Sequence, residues 1–588
     1  MAVAAVMMAA GALLAAQPTP PPALRLTDVT REAGLHFTHY NGAFGKKYLP
    51  ETMGVGPAFA DIDRDGDPDL IFANGTDWPE SRAAASATAT SSTASSSTAT
   101  SSTVPAGRGR PRPQIYRNDG HGVFTDITAG SGLDIDAYGM GVAVADYDND
   151  GWPDILLTAV GQNRLFRNTG HNTFLDITTR AGLGGRSAFS TSALWVDYDR
   201  DGALDLLVCN YVKWTPETDI RCSVDGREKS YCTPEAYRGT TSWLFRNTRN
   251  AKNGERTFED VTAKAGLFDA TSKSLGATIL DYDQDGWPDL FIANDTQPNK
   301  LYRNNHNGTF TELGLQAGLA LGEDGRARAG MGADAADFDN TGRPSVVVTN
   351  FAGEMLGLFT AVEPGRYVDR APQSAVGRMT RQTLGWGCFF FDVDLDGLLD
   401  LLVVNGHLDP GAARAQTQAK VRYAETPHLF VNRGAAGFLD IASAVGPAFA
   451  QPKVGRGAAF ADIDGDGDLD VVMTTNGGPA FLFRNDLANG HRSVRLRLRG
   501  VASNRDAIGA TVRATVGGRR LSAVVKTGSS YLSQSELPIT FGIGAGATAT
   551  DVTIEWPAGK QERLGTLAAG VEVVVEEGRG VISSRPLR

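Results

Sequence analysis

The chain has 588 residues, 69 of them glycine and four cysteine, and its 67 acidic against 56 basic side chains give a formal net charge of -11. That length exceeds one ordinary domain, and the glycine content fits many short strands joined by turns. No basic stripe or aromatic stacking platform favours nucleic acid, and no CxxC pair or suitably spaced histidine favours structural zinc.

Residues 1–16, an apolar run ending in small residues, read as a secretory signal that lacks a basic start and is too short for a membrane span. A Pro-rich linker (17–23) follows, then the short strand LTDVT from Leu26 and the polar excursion HFTHYNGAFGKKYLPETMG. The first of seven copies of an acidic nonapeptide comes next: DIDRDGDPD from Asp61, DYDNDGWPD from Asp146, DYDRDGALD from Asp197, DYDQDGWPD from Asp281, DFDNTGRPS from Asp337, DVDLDGLLD from Asp392 and DIDGDGDLD from Asp462.

Carboxylates at positions 1, 3, 5 and 9 around a glycine at position 6 offer several hard oxygen ligands at one sharp turn, as Ca2+ requires. The candidate metal ligands are Asp61, Asp63, Asp65 and Asp69 in the first copy, and Asp146, Asp148, Asp150 and Asp154 in the second. Asp197, Asp199, Asp201 and Asp205 form the third set, and Asp281, Asp283, Asp285 and Asp289 the fourth. Asp392, Asp394, Asp396 and Asp400 form the sixth set, and Asp462, Asp464, Asp466 and Asp470 the seventh. In the fifth copy Thr341 stands at position 5 and Ser345 at position 9, so about six Ca2+ sites are expected, with the fifth weak or empty. An EF-hand is excluded, because position 12 is Phe72 in the first copy and Met473 in the last.

Short apolar runs flank every copy, GPAFA before and DLIFAN after the first, for example, and they read as buried strands. Two further signatures keep step. One is a strand ending in Arg-Asn (QIYRN, RLFRN, WLFRN, KLYRN, the degenerate LGLFT, HLFVN, FLFRN); the other is an aromatic strand with an acid two residues on, such as FTDIT at 124. Four strands per repeat and seven repeats predict an all-β, seven-bladed β-propeller over 24–487. The chain opens on a fourth strand at Leu26 and its last repeat stops at the third, so the N-terminal strand can close the ring.

Strand alternation puts the acidic loops and tight hairpins on one face and the long insertions (74–113, 211–242, 406–427 and the His36 to Gly54 segment) on the other. Variable loops on a rigid scaffold commonly carry recognition, so the insertion face is the expected working surface. His36, His39, Glu51 and His407 belong to it and form a candidate ligand cluster, whereas His121, His171 and His306 sit in hairpin turns. Residues 81–105 are Ser/Thr/Ala low complexity, expected to be disordered. Cys222 and Cys232 share one polar insertion and are expected to form a disulfide in an oxidising compartment; Cys209 and Cys388 lie in apolar strands and read as core residues.

The repeats resemble FG-GAP (VCBS-type) propeller repeats. The stretch from SVRLRLRGVASNRDAIGATVRATVGGRR through YLSQSELPITFGIG to VTIEWPAGKQERL resembles the ASPIC/UnbV domain, placed at 491–580 as a β-sandwich-like domain. This pairing is similar to that of the cartilage acidic protein-like family, which implies calcium at the intact motifs. The ring register puts the C-terminal domain on the acidic-loop side. The expectation is an exported chain, secreted, periplasmic or on the cell surface, without a membrane span after signal removal. It would act as a binding or adhesion module for a protein or glycan ligand on the insertion face. The alternative is a carbohydrate-active enzyme or lectin using that face or the central channel.

Overall fold

The computed structural model describes residues 24–82, 111–223, 226–251, 254–409 and 422–588. The expected signal, the linker, nearly all of the 81–105 tract and part of the 406–427 insertion lie outside the described residues. Seven four-stranded antiparallel sets follow the repeats. Blade 1 consists of Pro57–Ala60, Asp69–Phe72, Gln114–Asn118 and Phe124–Asp126. Burial explains the choice of residues: inner strands such as Tyr138–Ala145 and Gly385–Phe391 are buried at every position, while in the outer strand Phe124 is buried and Thr125 and Asp126 are exposed. Inner strands of successive blades pack side by side around the whole ring, the seventh against the first. Leu26–Asp28 completes the seventh set by pairing with Phe481–Asn485, Leu26 opposite Asn485. Apolar wedges between blades, such as Phe37, Phe59, Phe72 and Phe166, form the core.

The three signatures have structural reasons. In blade 2 the Asn168 side chain donates to the carbonyl of Pro153 in its own acidic loop (3.1 Å) and to that of Ile62 in the loop of blade 1 (2.9 Å). Asn118, Asn247, Asn304 and Asn432 likewise each bridge to the preceding blade's loop, and Asn485 donates to Val393. The Arg-Asn strand is thus a ring of inter-blade staples. In the outer strand the threonine hydroxyl accepts a backbone N–H of the third strand, as Thr128 does from Ile115 (3.0 Å).

Blade 5 departs from the expected alignment. Its register pairs Val346 with Phe359, so the third strand is GLFTA rather than LGLFT, and Thr360 and Ala361 occupy the Arg and Asn positions. The carbonyl of Tyr282, which an asparagine there would bind, instead accepts the Gly365 N–H at 3.0 Å.

The C-terminal part is a sandwich of two four-stranded sheets, one holding Ser493–Arg499 and Val571–Glu576 as a parallel pair, the other Thr511–Val516 and Thr548–Glu555. It sits on the acidic-loop side, as the ring register implies. It also does something no periodicity announces. Residues 526–536, between its two sheets, run into the central channel. There Trp195 donates to Thr527 Oγ1 (2.9 Å), Ala333 to the Ser530 carbonyl (3.0 Å), Val142 to that of Leu532 (3.2 Å) and Phe59 to that of Gln534 (3.0 Å). Tyr531 at its tip is fully buried, donates to the Met53 carbonyl (3.2 Å) and meets Trp386 edge-on. Glycines at the start of the inner strands make room for it: a Cβ on Gly56 would lie 1.8 Å from the Leu532 carbonyl oxygen. The central channel is therefore filled by the chain itself, which removes it as a ligand site.

Candidate metal centres

Each acidic loop is shaped by its own backbone. Position 4 is left-handed in all seven copies (Arg64, Asn149, Arg200, Gln284, Asn340, Leu395, Gly465), and so is the glycine at position 6. This folds the loop so that the position-6 N–H donates to Oδ2 of the position-1 aspartate, Gly66 to Asp61 at 3.1 Å and Gly397 to Asp392 at 2.9 Å. The position-9 carboxylate is held on both oxygens: Asp69 accepts the Ile62 N–H (2.9 Å) and, from the Arg-Asn strand, the Asn118 N–H (2.8 Å). Position 5 closes the turn, with Asp65 Oδ1 accepting the Asp67 N–H at 3.0 Å.

Among the described residues six groups have ligand atoms within 4.8 Å of one another, including the all-carboxylate sets Asp61/Asp63/Asp69, Asp146/Asp148/Asp154, Asp197/Asp199/Asp205, Asp281/Asp283/Asp285 and Asp392/Asp394/Asp400. These groups can hold metal ions. Oxygens Oδ1 of Asp61, Asp197, Asp199, Asp283, Asp394 and Asp464 are buried and have no hydrogen-bond donor, so the chain leaves them for something else. An all-oxygen donor set suits a hard cation. Without a cation the arrangement strains electrostatically. Burial pushes Asp61 up to about 6 against the pull of Arg497, with Asp65 and Asp63 adding to the rise. Burial, then Asp201 and Asp199, push Asp197 up to about 7. In the seventh loop Asp468, at position 7 and not among the expected ligands, is also buried, and burial with Asp466, Asp462 and Asp464 raises it to about 10. Its presence was legible as an extra acid in DIDGDGDLD.

The C-terminal sandwich closes over these loops with residues no motif flagged as functional. Arg497 donates to Asp61 Oδ2 (3.0 Å) and to the Gly66 carbonyl (2.6 Å), and Arg495, 2% exposed, lies 3.2 Å from Asp462 and is held by Glu536 (2.7 Å). Asp506 accepts the Asp146 N–H at 2.7 Å. The alternating arginines of SVRLRLR are the sequence signal for Arg495 and Arg497.

On the opposite face the candidate cluster is only partly assembled. Arg456, fully buried, donates to the carbonyls of Thr52 (2.9 Å), Gly406 (3.1 Å) and His407 (3.2 Å) and stacks 4.2 Å over the Trp386 ring. Around it lie His39 and His407, both buried; Glu51, also buried, precedes Thr52 and accepts the Tyr231 hydroxyl at 3.0 Å. Burial, then Arg456, lowers His39 to about 3, and burial raises Glu51 to about 7. His36 is exposed and joins none of them. Arg456 carries no motif of its own, although GRGAAFA sets it between two glycines of an inner strand. Cys222 and Cys232 form a disulfide, which holds Tyr231 in a short loop; Cys209 and Cys388 are free and buried.

Seven blades, each with an acidic loop between its first two strands, capped by a β-sandwich that plugs the ring, define an acidic-loop repeat propeller with an appended domain. The chain carries FG-GAP-like repeats, matched at 103–157, 151–208, 281–348 and 392–473, and an ASPIC and UnbV domain, matched at 500–582. It is similar to cartilage acidic protein 1 of Mus musculus, 25% identical over 331 residues, covering 55% of this chain and 48% of that protein. The Homo sapiens protein is 23% identical over 393 residues, covering 66% of this chain and 53% of its own. The chain thus spans about half the length of the curated relatives it matches. Among solved structures, an Agrocybe aegerita lectin that recognises non-reducing terminal N-acetylglucosamine aligns at 14% identity with a TM-score of 0.37, over 64% of this chain and 89% of that one. No helix among the described residues is long and apolar enough to cross a membrane.

Proposed function

We propose that the chain is an exported, calcium-stabilised binding module whose working surface is the insertion face. Ca2+ is the ion that the oxygen-only loops suit, at the six intact copies, and millimolar external calcium is where loops of moderate affinity fill. A disulfide in the Cys222 loop and the similarity to cartilage acidic protein 1 support export. The observation that carries the reading is the position of the C-terminal domain. It covers the acidic-loop face and fills the channel, which leaves the insertion face as the broad surface open to a protein or glycan. Lys213, Ile220 and Arg221 are exposed there, on the loop stapled by the disulfide. The test is to probe arrays of matrix proteins and glycans with calcium-loaded chain and with a Lys213→Glu/Arg221→Glu variant. The reading expects calcium-dependent binding that the variant loses while keeping wild-type calcium content. Binding that the variant retains in full would assign the surface elsewhere.

A further inference from the structure

The sandwich does not cover the seven loops evenly. It bonds to the loops of blades 1, 2, 6 and 7, for instance through Gly544 to the Leu395 carbonyl (2.7 Å) and Ser493 to the Gly467 carbonyl (2.6 Å). It comes close at blades 3 and 4, where a Cβ on Gly202 would lie 2.9 Å from the Ala502 carbonyl oxygen and one on Gly286 3.4 Å from Glu555. Among the described residues, no hydrogen bond or ion pair ties it to the loop of blade 5, 337–345, the copy that has lost two carboxylates. The gap there is a cavity of about 310 Å3 between propeller and sandwich.

Its lining is apolar along one side, with Phe390, Phe391 and Phe460 of the inner strands facing Leu537 and Ile539 of the sandwich. The charged groups are nearly all committed. Lys526 pairs with the buried Asp334, Arg513 with Glu555 (2.9 Å), Glu536 with Arg495, and Asp285 with His306 (2.8 Å). Asp281 and Asp392 belong to intact acidic loops. Asp337 is different. Its carboxylate accepts the N–H groups of Thr341 (2.9 Å) and Gly342 (2.8 Å) and lies beside that of Asp339, no cationic side chain reaches it among the described residues, and its loop lacks the carboxylates at positions 5 and 9 that would complete a metal set. An aromatic and aliphatic wall with a carboxylate at its edge that no cationic side chain offsets is the chemistry of an amphipathic-cation site.

We propose that this cavity binds a small amphipathic amine, with its ammonium group at Asp337 and its apolar body against Phe390 and Leu537. The site is separate from the insertion face and stands or falls independently of it. Phenethylamine is the probe, with 2-phenylethanol and phenylacetate as neutral and anionic counterparts, titrated calorimetrically into the calcium-loaded full chain. The expected result is saturable amine binding about tenfold tighter than that of the alcohol, with phenylacetate weakest. Asp337→Asn should bring the amine down to the level of the alcohol, and Leu537→Trp, which fills the cavity, should weaken both about tenfold or more. Ala523→Phe fills the same space from a half-buried strand position and serves if the tryptophan variant does not fold. Absence of saturable amine binding, equal binding of all three probes, or amine binding untouched by both filling substitutions would overturn the proposal.

Discussion

Replacing Asn168 by alanine should cost the propeller about 3 kcal/mol, because three hydrogen bonds at a buried site are worth roughly 1 kcal/mol each. The amide donates to Ile62 (2.9 Å) and Pro153 (3.1 Å) and accepts from Gly170 (3.0 Å), and the residue is 1% exposed. Alanine removes the partner of two carbonyls that stay in place, so the loss sits at the upper part of the usual range rather than the lower. Asn485 is the internal comparison. Its amide donates only to Val393 (2.9 Å) and its side-chain oxygen accepts nothing, so Asn485→Ala should cost about 1 kcal/mol. The assay is urea unfolding of both variants at saturating calcium, compared by midpoint where the slope is unchanged. Ala361→Asn in blade 5 should gain nothing, since Gly365 already satisfies Tyr282. If neither Asn168→Ala nor Asn485→Ala lowers the midpoint, the inter-blade staple is not what the Arg-Asn signature is for.

Three other expectations follow from the same geometry. Asp61 and Asp281, raised to about 6, and Asp197, raised to about 7, bind protons more readily folded than unfolded, so without metal their stability contribution is complete below about pH 4 and is lost as pH rises through 6 to 7. The melting temperature in chelator should therefore fall between pH 5 and 8, while saturating calcium reverses the trend because the metal requires ionised ligands; scanning fluorimetry across both series checks this. Gly56→Ala drives a methyl into the Leu532 carbonyl and should expose the sandwich–propeller junction to limited proteolysis at 526–536, where wild type is protected. Peptide mapping of exported protein without reductant should recover Cys222 joined to Cys232, and Cys209 and Cys388 as free thiols; free Cys222 would contradict the bridge.

How far the sequence was readable depended on whether a feature repeats. The acidic loops, the four-strand period and the closing strand at Leu26 recur or complete a recurrence, so position alone exposed them. A glycine also opens six of the seven inner runs, Ser192 standing in the third, but at Gly56 its reason is the Leu532 carbonyl of the 526–536 segment, a contact across more than 400 positions that no local pattern encodes. Arg456 and Arg495 are single buried cations whose partners come from distant loops, and a lone arginine in an apolar strand does not declare them. In blade 5 no asparagine marks the third strand, so the sequence reads as LGLFT, and the pairing of Val346 with Phe359 moves the strand one residue on to GLFTA.

The most direct test is calcium stoichiometry by equilibrium dialysis with elemental analysis, on wild type and on Asp199→Ala and Asp339→Ala. About six ions per chain at millimolar calcium are expected, one fewer when Asp199 of an intact loop is replaced, and no change when Asp339 of the fifth is replaced. Two or fewer ions in the wild-type chain would contradict the account, because the buried carboxylate oxygens that no donor reaches would then have no cation to answer for them.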